Sequence, residues 1–321
     1  MKWDDKPYHS LDYECKRRFG EKVYRLSLNG KMTCPNRDGT KGSRGCIFCS
    51  EGGSGDFAGS ACQTITEQMA SQKLLLQKKR PVNQYIAYFQ AYTNTYAPVE
   101  YLEKIFTEAI QSPDIVALSI GTRPDCLGPE VIELLGRLNR IKPVWVELGL
   151  QTIHEDTALF IRRGYPLSCF EEAVTNLRRE HIEVIVHTIL GLPGEDEERI
   201  LRTIHYLNHQ DIQGIKLQLL HVLKHTDLAA YYEEHPFHIY TMEEYLQLVI
   251  HCLEQLSPEL VIHRLTGDGP KELLIEPQWS TRKRTVLNTL HQELRRLDTW
   301  QGKYYNETKE TLCQNQAHSI N

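Results

Sequence analysis

Three cysteines near the start of the chain have the residue type and spacing that iron chemistry requires. Cys34, Cys46 and Cys49 form a C-x11-C-x2-C pattern on a glycine-rich stretch that follows the strand-like run VYRLSL. Cysteine thiolates are the usual ligands of iron-sulfur clusters, and three of them hold three irons of a four-iron cluster. The pattern therefore predicts a [4Fe-4S] cluster whose fourth iron is open to a ligand or substrate.

A structural zinc site is the competing interpretation of these cysteines. Structural zinc takes four ligands, usually as two close pairs. Here Cys46 and Cys49 form one close pair, with Cys34 as a single distant partner. Cys62 or His9 would have to supply the fourth ligand. The spacing alone leaves zinc open, and the polar motifs at the strand ends favour iron.

Length and composition indicate a globular protein. The chain has 321 residues, of which 25% are charged and 40% hydrophobic, so it fits one large α/β domain or two smaller ones. The N-terminus has no apolar h-region and no apolar run is long enough for a bilayer, so we expect a cytoplasmic protein. Nine cysteines without a signal peptide argue against a disulfide framework. No role is expected for six of them: Cys15, Cys62, Cys126, Cys169, Cys252 and Cys313.

Charge is unevenly distributed along the chain. The net charge of -5 gives no global basic field for nucleic acid. Between Arg264 and Arg296, however, the sequence contains seven Lys and Arg but only four Asp and Glu, which gives a local charge of +3. This stretch hints at an anionic partner.

Helical and strand-like patterns alternate after the cysteine stretch. Helices are predicted at 65–79, 99–111, 129–141, 169–181, 195–208 and 241–256. Strands are predicted at 84–92, 114–126, 143–152, 183–195, 214–223 and 261–265. Strands that are apolar on both faces, between amphipathic helices, require a parallel sheet covered by helices. Right-handed crossovers curl such repeated units into an open sheet or a barrel.

Polar residues are predicted at the C-terminal ends of these strands, the edge where α/β proteins bind ligands. They are Cys34, Gln90, 122–125, Glu147 with Gln151, and 191–195. Each one alone is equally compatible with a turn or cap residue. Five such groups on one edge predict a functional site there.

Several motifs resemble those of radical S-adenosylmethionine (SAM) enzymes. The cysteine loop, with Phe48 before its last cysteine, resembles the cluster loop of that superfamily in a widened form. Further motifs resemble the radical SAM core of the Elongator catalytic subunit: GTRPD (121–125), VELGLQT (146–152), RRGY (162–165) and HTILGLPGE (187–195). Others resemble the YtqA/YhcC family of small radical SAM proteins: CPNRDGT (34–40), GSGDFAG (53–59), LLHVLKHTDLA (219–229), HRLTGDGPK (263–271) and PQWS (277–280).

The resemblance implies an α/β fold, a partial (β/α)6 TIM-like barrel with a short C-terminal helical extension. It implies an N-terminal extension at 1–17, a radical SAM core at 18–258 and a C-terminal extension at 259–321. The implied cofactors are a [4Fe-4S] cluster and SAM, which the reduced cluster cleaves to methionine and a 5′-deoxyadenosyl radical that abstracts hydrogen. An electron donor such as flavodoxin or ferredoxin is implied as a partner.

Cluster and methionine contacts are implied residue by residue. Cys34, Cys46 and Cys49 would ligate the cluster. Phe48 would pack near the adenine. Gln90 stands where the superfamily's glycine-rich strand end meets the methionine amino group, although no Gly-Gly-Glu triplet is present.

The remaining SAM contacts are implied by later motifs. Gln151 and Arg163 resemble the glutamine and arginine that hold the ribose and the carboxylate in related enzymes. Ile189, Gly191 and Glu195 belong to the motif that lies against the adenine. No catalytic acid or base is assigned.

The resemblance also implies a substrate. The Elongator subunit has a second, acetyltransferase domain, and this chain ends too early for one, so transfer from acetyl-CoA is not expected. The YtqA branch is associated with tRNA wobble uridine, whose 5-carboxymethylaminomethyl group becomes aminomethyl before a separate tRNA methyltransferase acts. Two alternatives remain: a small metabolite or peptide as substrate, and a non-catalytic Fe-S or SAM-binding regulatory module.

The C-terminal segment is the predicted place of RNA contact. Lys271, Arg282, Lys283 and Arg284 would contact phosphates, and Trp279 would stack on a flipped base. The alternative is a solvated C-terminal helix, with the tryptophan capping the barrel.

Overall fold

A seven-stranded parallel sheet forms the centre of the protein, in the order β1-β2-β3-β4-β5-β6-β8. The computed structural model describes residues 3–53, 55, 58–78, 82–267 and 269–305. The strands of the sheet are β1 (Tyr24–Leu28), β2 (Tyr85–Phe89), β3 (Ile115–Thr122), β4 (Val144–Gln151), β5 (Glu183–Leu190), β6 (Gly214–Leu219) and β8 (Val261–Arg264). Two further strands, β7 (Val222–Leu223) and β9 (Leu274–Glu276), pair antiparallel as a separate ribbon.

Helices follow the strands and cover the sheet. They are α1 (Leu11–Phe19), α2 (Ile65–Gln77), α3 (Val99–Ile110), α4 (Pro129–Asn139), α5 (Glu155–Phe160), α6 (Leu167–Arg179), α7 (Glu197–Leu207), α8 (Asp227–Glu234), α9 (Met242–Gln255) and α10 (Lys283–Arg296). Capping boxes at Thr64 and Thr241 start α2 and α9. Among the described residues, no helix is long and apolar enough to cross a membrane.

Most predicted elements are confirmed, with local differences. The predicted strand at 214–223 divides into β6 and β7. The sequence analysis missed three short helices, α1, α5 and α8, because six to nine residues contain too few turns for a clear helical period. Strand β8, from the segment predicted as a C-terminal extension, is an edge strand of the sheet.

Side chains from opposite edges of the sheet meet, so the sheet is curled. Arg25 on β1 donates a hydrogen bond of 2.9 Å from Nη2 to Nδ1 of His263 on β8. In a flat sheet these two strands would lie about 29 Å apart, six intervals of strand spacing. The predicted partial α/β barrel is therefore confirmed, with seven strands where six were expected.

An apolar layer closes the barrel at the N-terminal ends of its strands. Ile86, Ala117, Trp145 and Ile185 point inward from four adjacent strands and pack with Cys15 of α1. All five are at most 2% exposed. The first helix therefore seals this end, which leaves the C-terminal edge as the open one.

A polar layer lies two residues further along the strands and is centred on Glu147, whose side chain is fully buried. Its Oε1 accepts a hydrogen bond from Ser119 at 2.7 Å and lies 3.3 Å from Nη2 of Arg25. Its Oε2 is bonded to His187 Nε2 at 2.8 Å and to Lys216 Nζ. We call Arg25, Tyr88, Ser119, Glu147, His187, Lys216 and His263 the middle layer.

Charge and burial set the protonation states of the middle layer. Burial alone would raise the pKa of Glu147, but the charges of Lys216 and Arg25 hold it well below its usual range. Burial, reinforced by Lys216, lowers the pKa of His187 to about 4. At neutral pH the carboxylate can only accept hydrogen bonds, so the proton between it and His187 lies on Nε2.

Substituting Gly214 should disturb the middle layer directly. A Cβ at this position would lie 2.8 Å from the His263 ring, which is fixed by Arg25 and by Trp145. We expect Gly214→Ala to lower the free energy of unfolding by about 1–3 kcal/mol, the usual cost of overpacking. Urea denaturation measures this. Gly128→Ala is the matched control, because its Cβ would meet nothing within 4 Å. Equal effects of the two substitutions would contradict the described packing.

The ring of His187 should titrate far below an ordinary histidine. Its proton binds the folded state at about pH 4 and an unfolded chain near pH 6.5. Its contribution to stability is therefore complete above about pH 6.5 and is lost as the pH falls towards 4. NMR titration of histidine-labelled protein measures the midpoint, with a His187→Gln variant to assign the signal. A midpoint at or above pH 6.5 would contradict this environment.

Candidate functional site

A cavity of about 280 Å³ opens at the C-terminal edge of the sheet. Its walls come from the cysteine loop after β1, from the ends of strands β2 to β6, and from Arg264, Gly267, Gly269 and Pro270. In α/β barrels this edge carries the active site, because strand ends and loops converge there. The apolar layer and α1 close the opposite end.

All three cysteines of the predicted cluster line this cavity. The backbone N–H of Cys49 donates to the carbonyl of Cys46 at 3.0 Å, which forms a tight turn between the close pair. Nδ2 of Asn36 donates to the carbonyl of Arg162 at 2.7 Å and lies 3.6 Å from Cys46 Sγ. The loop that carries Cys34 and Cys46 is thus tied to the segment after β4.

Arginine and glycine residues fix the rest of the cysteine loop. Nη2 of Arg37 donates to the carbonyls of Cys49 and Ser50 at 2.9 and 2.6 Å. Gly53 has φ +59, and a Cβ there would lie 2.2 Å from the ring of Tyr92, which follows β2. The loop can approach the strand end this closely only because glycine stands there.

Burial dominates the environment of the Cys46 thiol. Burial raises the pKa of Cys46 to about 12, and the nearby thiols of Cys49 and Cys34 raise it further. Metal coordination requires thiolates, so cluster binding at this site would release protons. The guanidinium of Arg123 acts in the opposite direction and lowers the pKa of Cys46. Its positive charge would also favour an anionic cluster.

Neither proposed fourth zinc ligand lies at the cavity. Cys62 is exposed, and His9 bonds Glu14 of α1 at 3.0 Å, at the closed end of the barrel. In the described part of the chain, no group of three or more His, Cys, Asp or Glu could hold a metal ion. The assignment of Cys34, Cys46 and Cys49 as cluster ligands stays a prediction.

Gln151 ends β4 in a conformation that suits a ligand contact. Its φ is +69, and the register of β4 shifts between Gly149 and Gln151. Its Oε1 is buried without a hydrogen-bond partner among the described residues, and the side chain lines the cavity. A buried acceptor without a donor is costly unless a ligand supplies one. These features fit SAM, whose ribose hydroxyls and amino group are donors.

Arg163 also lines the cavity, but protein groups take most of its donors. Its guanidinium donates to the carbonyls of Tyr165 and Thr152 at 3.0 and 2.6 Å, and to Glu155 at 2.9 Å. It is 2% exposed. These bonds hold the turn after β4, and its contact with a SAM carboxylate stays a prediction.

The other predicted SAM contacts divide into two groups. Phe48, Gln90 and Ile189 line the cavity. Gly191 and Glu195 are not part of its described lining. Gly191 has a φ of +91, and a Cβ at this position would lie 3.2 Å from the ring of Tyr240. Glu195 accepts a hydrogen bond from Thr152, and burial raises its pKa.

Glu147 does not lie at a strand end, contrary to the expectation from its motif. It is in the middle of β4 and faces the barrel interior. With it, the structure brings Tyr88, His187 and Lys216 to the bottom of the cavity, none of which the sequence analysis singled out. The sequence did contain a signal for Glu147. It is a polar residue inside an apolar strand, at a position that the alternation of side chains places on the inward face.

The predicted RNA-contact residues all lie in the C-terminal segment. Lys271, Arg282 and Arg284 are exposed, and Lys283 is half-buried. Trp279 is partly buried: its Nε1 donates to the carbonyl of Tyr240 at 2.9 Å, and its ring packs on Tyr245. Asp268 and Cys313 lie outside the described residues.

Family models match most of the chain. The model of the radical SAM superfamily matches residues 38–207, and the radical SAM C-terminal domain matches residues 212–296. The uncharacterized protein YtqA of Bacillus subtilis is 44% identical over 306 residues, 95% of each chain. Protein YhcC of Escherichia coli is 36% identical over 281 residues, 87% of this chain and 89% of its own.

More distant relatives match half of the sequence or share the fold. The tRNA uridine(34) acetyltransferase of Methanocaldococcus jannaschii is 25% identical over 164 residues, 50% of this chain and 30% of its own. The solved structure of archaeal Elp3 from Methanocaldococcus infernus has a TM-score of 0.66 at 16% identity, over 89% of this chain and 67% of its own. That likeness supports the fold. Because the superfamily model matches more than half of the chain and YtqA is 44% identical over 95% of it, the chain belongs to the radical SAM superfamily and is a radical SAM enzyme.

Proposed function

We propose that this enzyme modifies the wobble uridine of tRNA in the cytoplasm, converting its 5-carboxymethylaminomethyl side chain to 5-aminomethyl. The observation that carries the proposal is a cavity lined both by three cysteines and by Glu147, His187 and Lys216 of the middle layer. Similarity to an enzyme named for uridine 34 of tRNA, over half of this chain, supports an RNA substrate.

The residues at the strand ends would hold the cofactors. Cys34, Cys46 and Cys49 would ligate a [4Fe-4S] cluster, and Gln151 would accept a hydrogen bond from SAM. When bound, the cluster and SAM supply reductive cleavage of the sulfonium and a radical that abstracts hydrogen from an unreactive C–H bond. The closed apolar end and the tight cysteine loop would keep water away from that reaction.

The conversion is balanced as an oxidation followed by hydrolysis. Hydrogen abstraction from the methylene between the amine and the carboxylate leaves a carbon radical. Loss of one electron to a one-electron acceptor and of the amine proton then gives an imine. Water adds to this imine, the C–N bond breaks, and aminomethyluridine and glyoxylate form.

The start of α10 supports a contact with phosphate. Arg282, Lys283 and Arg284 lie at its N-terminus, where no side chain caps the helix and no acidic residue is present in the first turn. Cations at this end oppose the helix dipole and reduce stability. A bound phosphate would accept hydrogen bonds from the helix N–H groups and from the basic side chains.

Removing one predicted cluster ligand should abolish the chemistry. We expect Cys46→Ala to reduce bound iron after anaerobic reconstitution from about four atoms to below one, and to abolish 5′-deoxyadenosine formation. Cys62→Ala is the matched control, because this cysteine is exposed and does not line the cavity. A Cys46→Ala protein with a full, active cluster would overturn the ligand assignment.

The wild-type enzyme tests the substrate. With dithionite, SAM and tRNA carrying 5-carboxymethylaminomethyluridine, we expect 5′-deoxyadenosine to increase and that nucleoside to be replaced by 5-aminomethyluridine. Nucleoside mass spectrometry measures both. If 5′-deoxyadenosine forms but the tRNA is unchanged, the substrate is instead a metabolite or peptide. If an intact, reduced cluster gives no 5′-deoxyadenosine, the chain is a binding module.

The basic start of α10 should determine the salt dependence of tRNA binding. We expect alanine at Arg282, Lys283 and Arg284 together to reduce the slope of log affinity against log salt by about 2, because each lost phosphate contact removes about 0.7. Titrations at several salt concentrations measure the slope. The control is alanine at three exposed cations on or next to α3 and α4: Lys104, Arg137 and Arg140. An equal slope in both triple variants would argue against this contact.

A further inference from the structure

The bottom of the cavity carries more positive charge than its carboxylate balances. Glu147 is the single carboxylate among the described lining residues. It faces Arg25 and Lys216; burial lowers the pKa of Lys216, but direct contact with the Glu147 carboxylate opposes that shift and keeps the amine protonated. A buried excess of positive charge is costly unless an anion binds beside it.

Lys216 is the cation best placed to receive that anion. Its side chain is 1% exposed, yet it forms part of the cavity wall. Nζ donates to the carboxylate of Glu147 and to the hydroxyl of Tyr88, the latter at 3.2 Å. An ammonium has three N–H donors, and no third acceptor contacts this one among the described residues.

The depth of Lys216 separates it from the predicted cofactor contacts. It is the third residue of β6, three residues before the strand ends at Leu219. At the rise of a parallel strand, this is about 10 Å below the strand end. Gln151, Phe48 and the cysteines lie at the strand ends or in loops beyond them. An anion on Lys216 would therefore belong to a group that enters the barrel more deeply.

We propose that Lys216 binds the carboxylate of the substrate side chain and makes the enzyme specific for it. This inference rests on the proposed function for the identity of the substrate. A carboxylate on Lys216 would form a charge-assisted hydrogen bond and fix the adjacent methylene in the cavity. A side chain without the carboxylate would leave a buried N–H unpaired, which is a strong basis for rejection.

Small fragments test the site without tRNA. The probe is N-ethylglycine, which carries the amine, methylene and carboxylate, and its comparison is N-ethylmethylamine, which lacks the carboxylate. Binding to the SAM-loaded, cluster-containing enzyme is measured by NMR titration. We expect N-ethylglycine to bind the wild type at least about tenfold more tightly than the amine, as expected for a charged hydrogen bond.

Lys216→Met should abolish this preference, whereas Lys104→Met, at an exposed position, should retain it. Because Lys216→Met leaves Glu147 with one cation fewer, the double variant Glu147→Gln, Lys216→Met is tested beside it. Replacing both members of a buried pair is often neutral for stability. Unchanged preference in either folded variant, or no preference in the wild type, would overturn the proposal.

The same variants with tRNA distinguish this inference from the proposed function. We expect the wild type to bind tRNA with 5-carboxymethylaminomethyluridine more tightly than tRNA with 5-methylaminomethyluridine, and Lys216→Met to bind both alike. If the fragments show the preference but the two tRNAs do not, the carboxylate site stands and the tRNA substrate fails. If the wild type and Lys216→Met both discriminate between the tRNAs, the role of Lys216 is refuted and the proposed tRNA substrate stands.

Discussion

The buried carboxylate of Glu147 is the constraint on which the barrel interior depends. It is held by a hydroxyl, an imidazole, an ammonium and a guanidinium from β3, β5, β6 and β1. A charge without water is tolerated only when its partners are fixed around it. The sheet must therefore curl until side chains from distant strands meet. The hydrogen bond between Arg25 and His263 joins the two edge strands in the same way.

That arrangement also gives the barrel two different ends. Below the middle layer, Trp145 and its apolar neighbours pack against α1 and exclude solvent. Above it, the strands end in glycines, polar side chains and the cysteine loop, and a cavity remains. Radical chemistry needs a pocket shielded from solvent, because a reactive intermediate must meet the substrate before water or a reductant.

The C-terminal segment is part of this pocket as well as of the surface. Strand β8 joins the sheet beside β6, and Gly267 and Gly269 line the cavity. A Cβ at Gly267 would lie 2.3 Å from the His221 ring, so the segment packs tightly on the end of β6. The same segment continues into the basic start of α10.

The sequence by itself determined the order of the elements, the parallel sheet and the cysteine loop. These follow from local periodicity, from apolar strands between amphipathic helices, and from the C-x11-C-x2-C spacing. The placement of Gln151 at the open edge also follows, because it stands at the end of a predicted strand. Such features are local in the chain, so single-sequence patterns contain them.

Only the tertiary structure decided the middle layer and the extent of the cavity. Arg25 and His263 are 238 residues apart in sequence, and Glu147 and Lys216 are 69 apart, so no local pattern pairs them. The structure likewise shows that hydrogen bonds to the turn after β4 occupy most donors of Arg163, and that Trp279 bonds to Tyr240. Contacts of this kind depend on how far the sheet curls, which is set by packing of the whole interior.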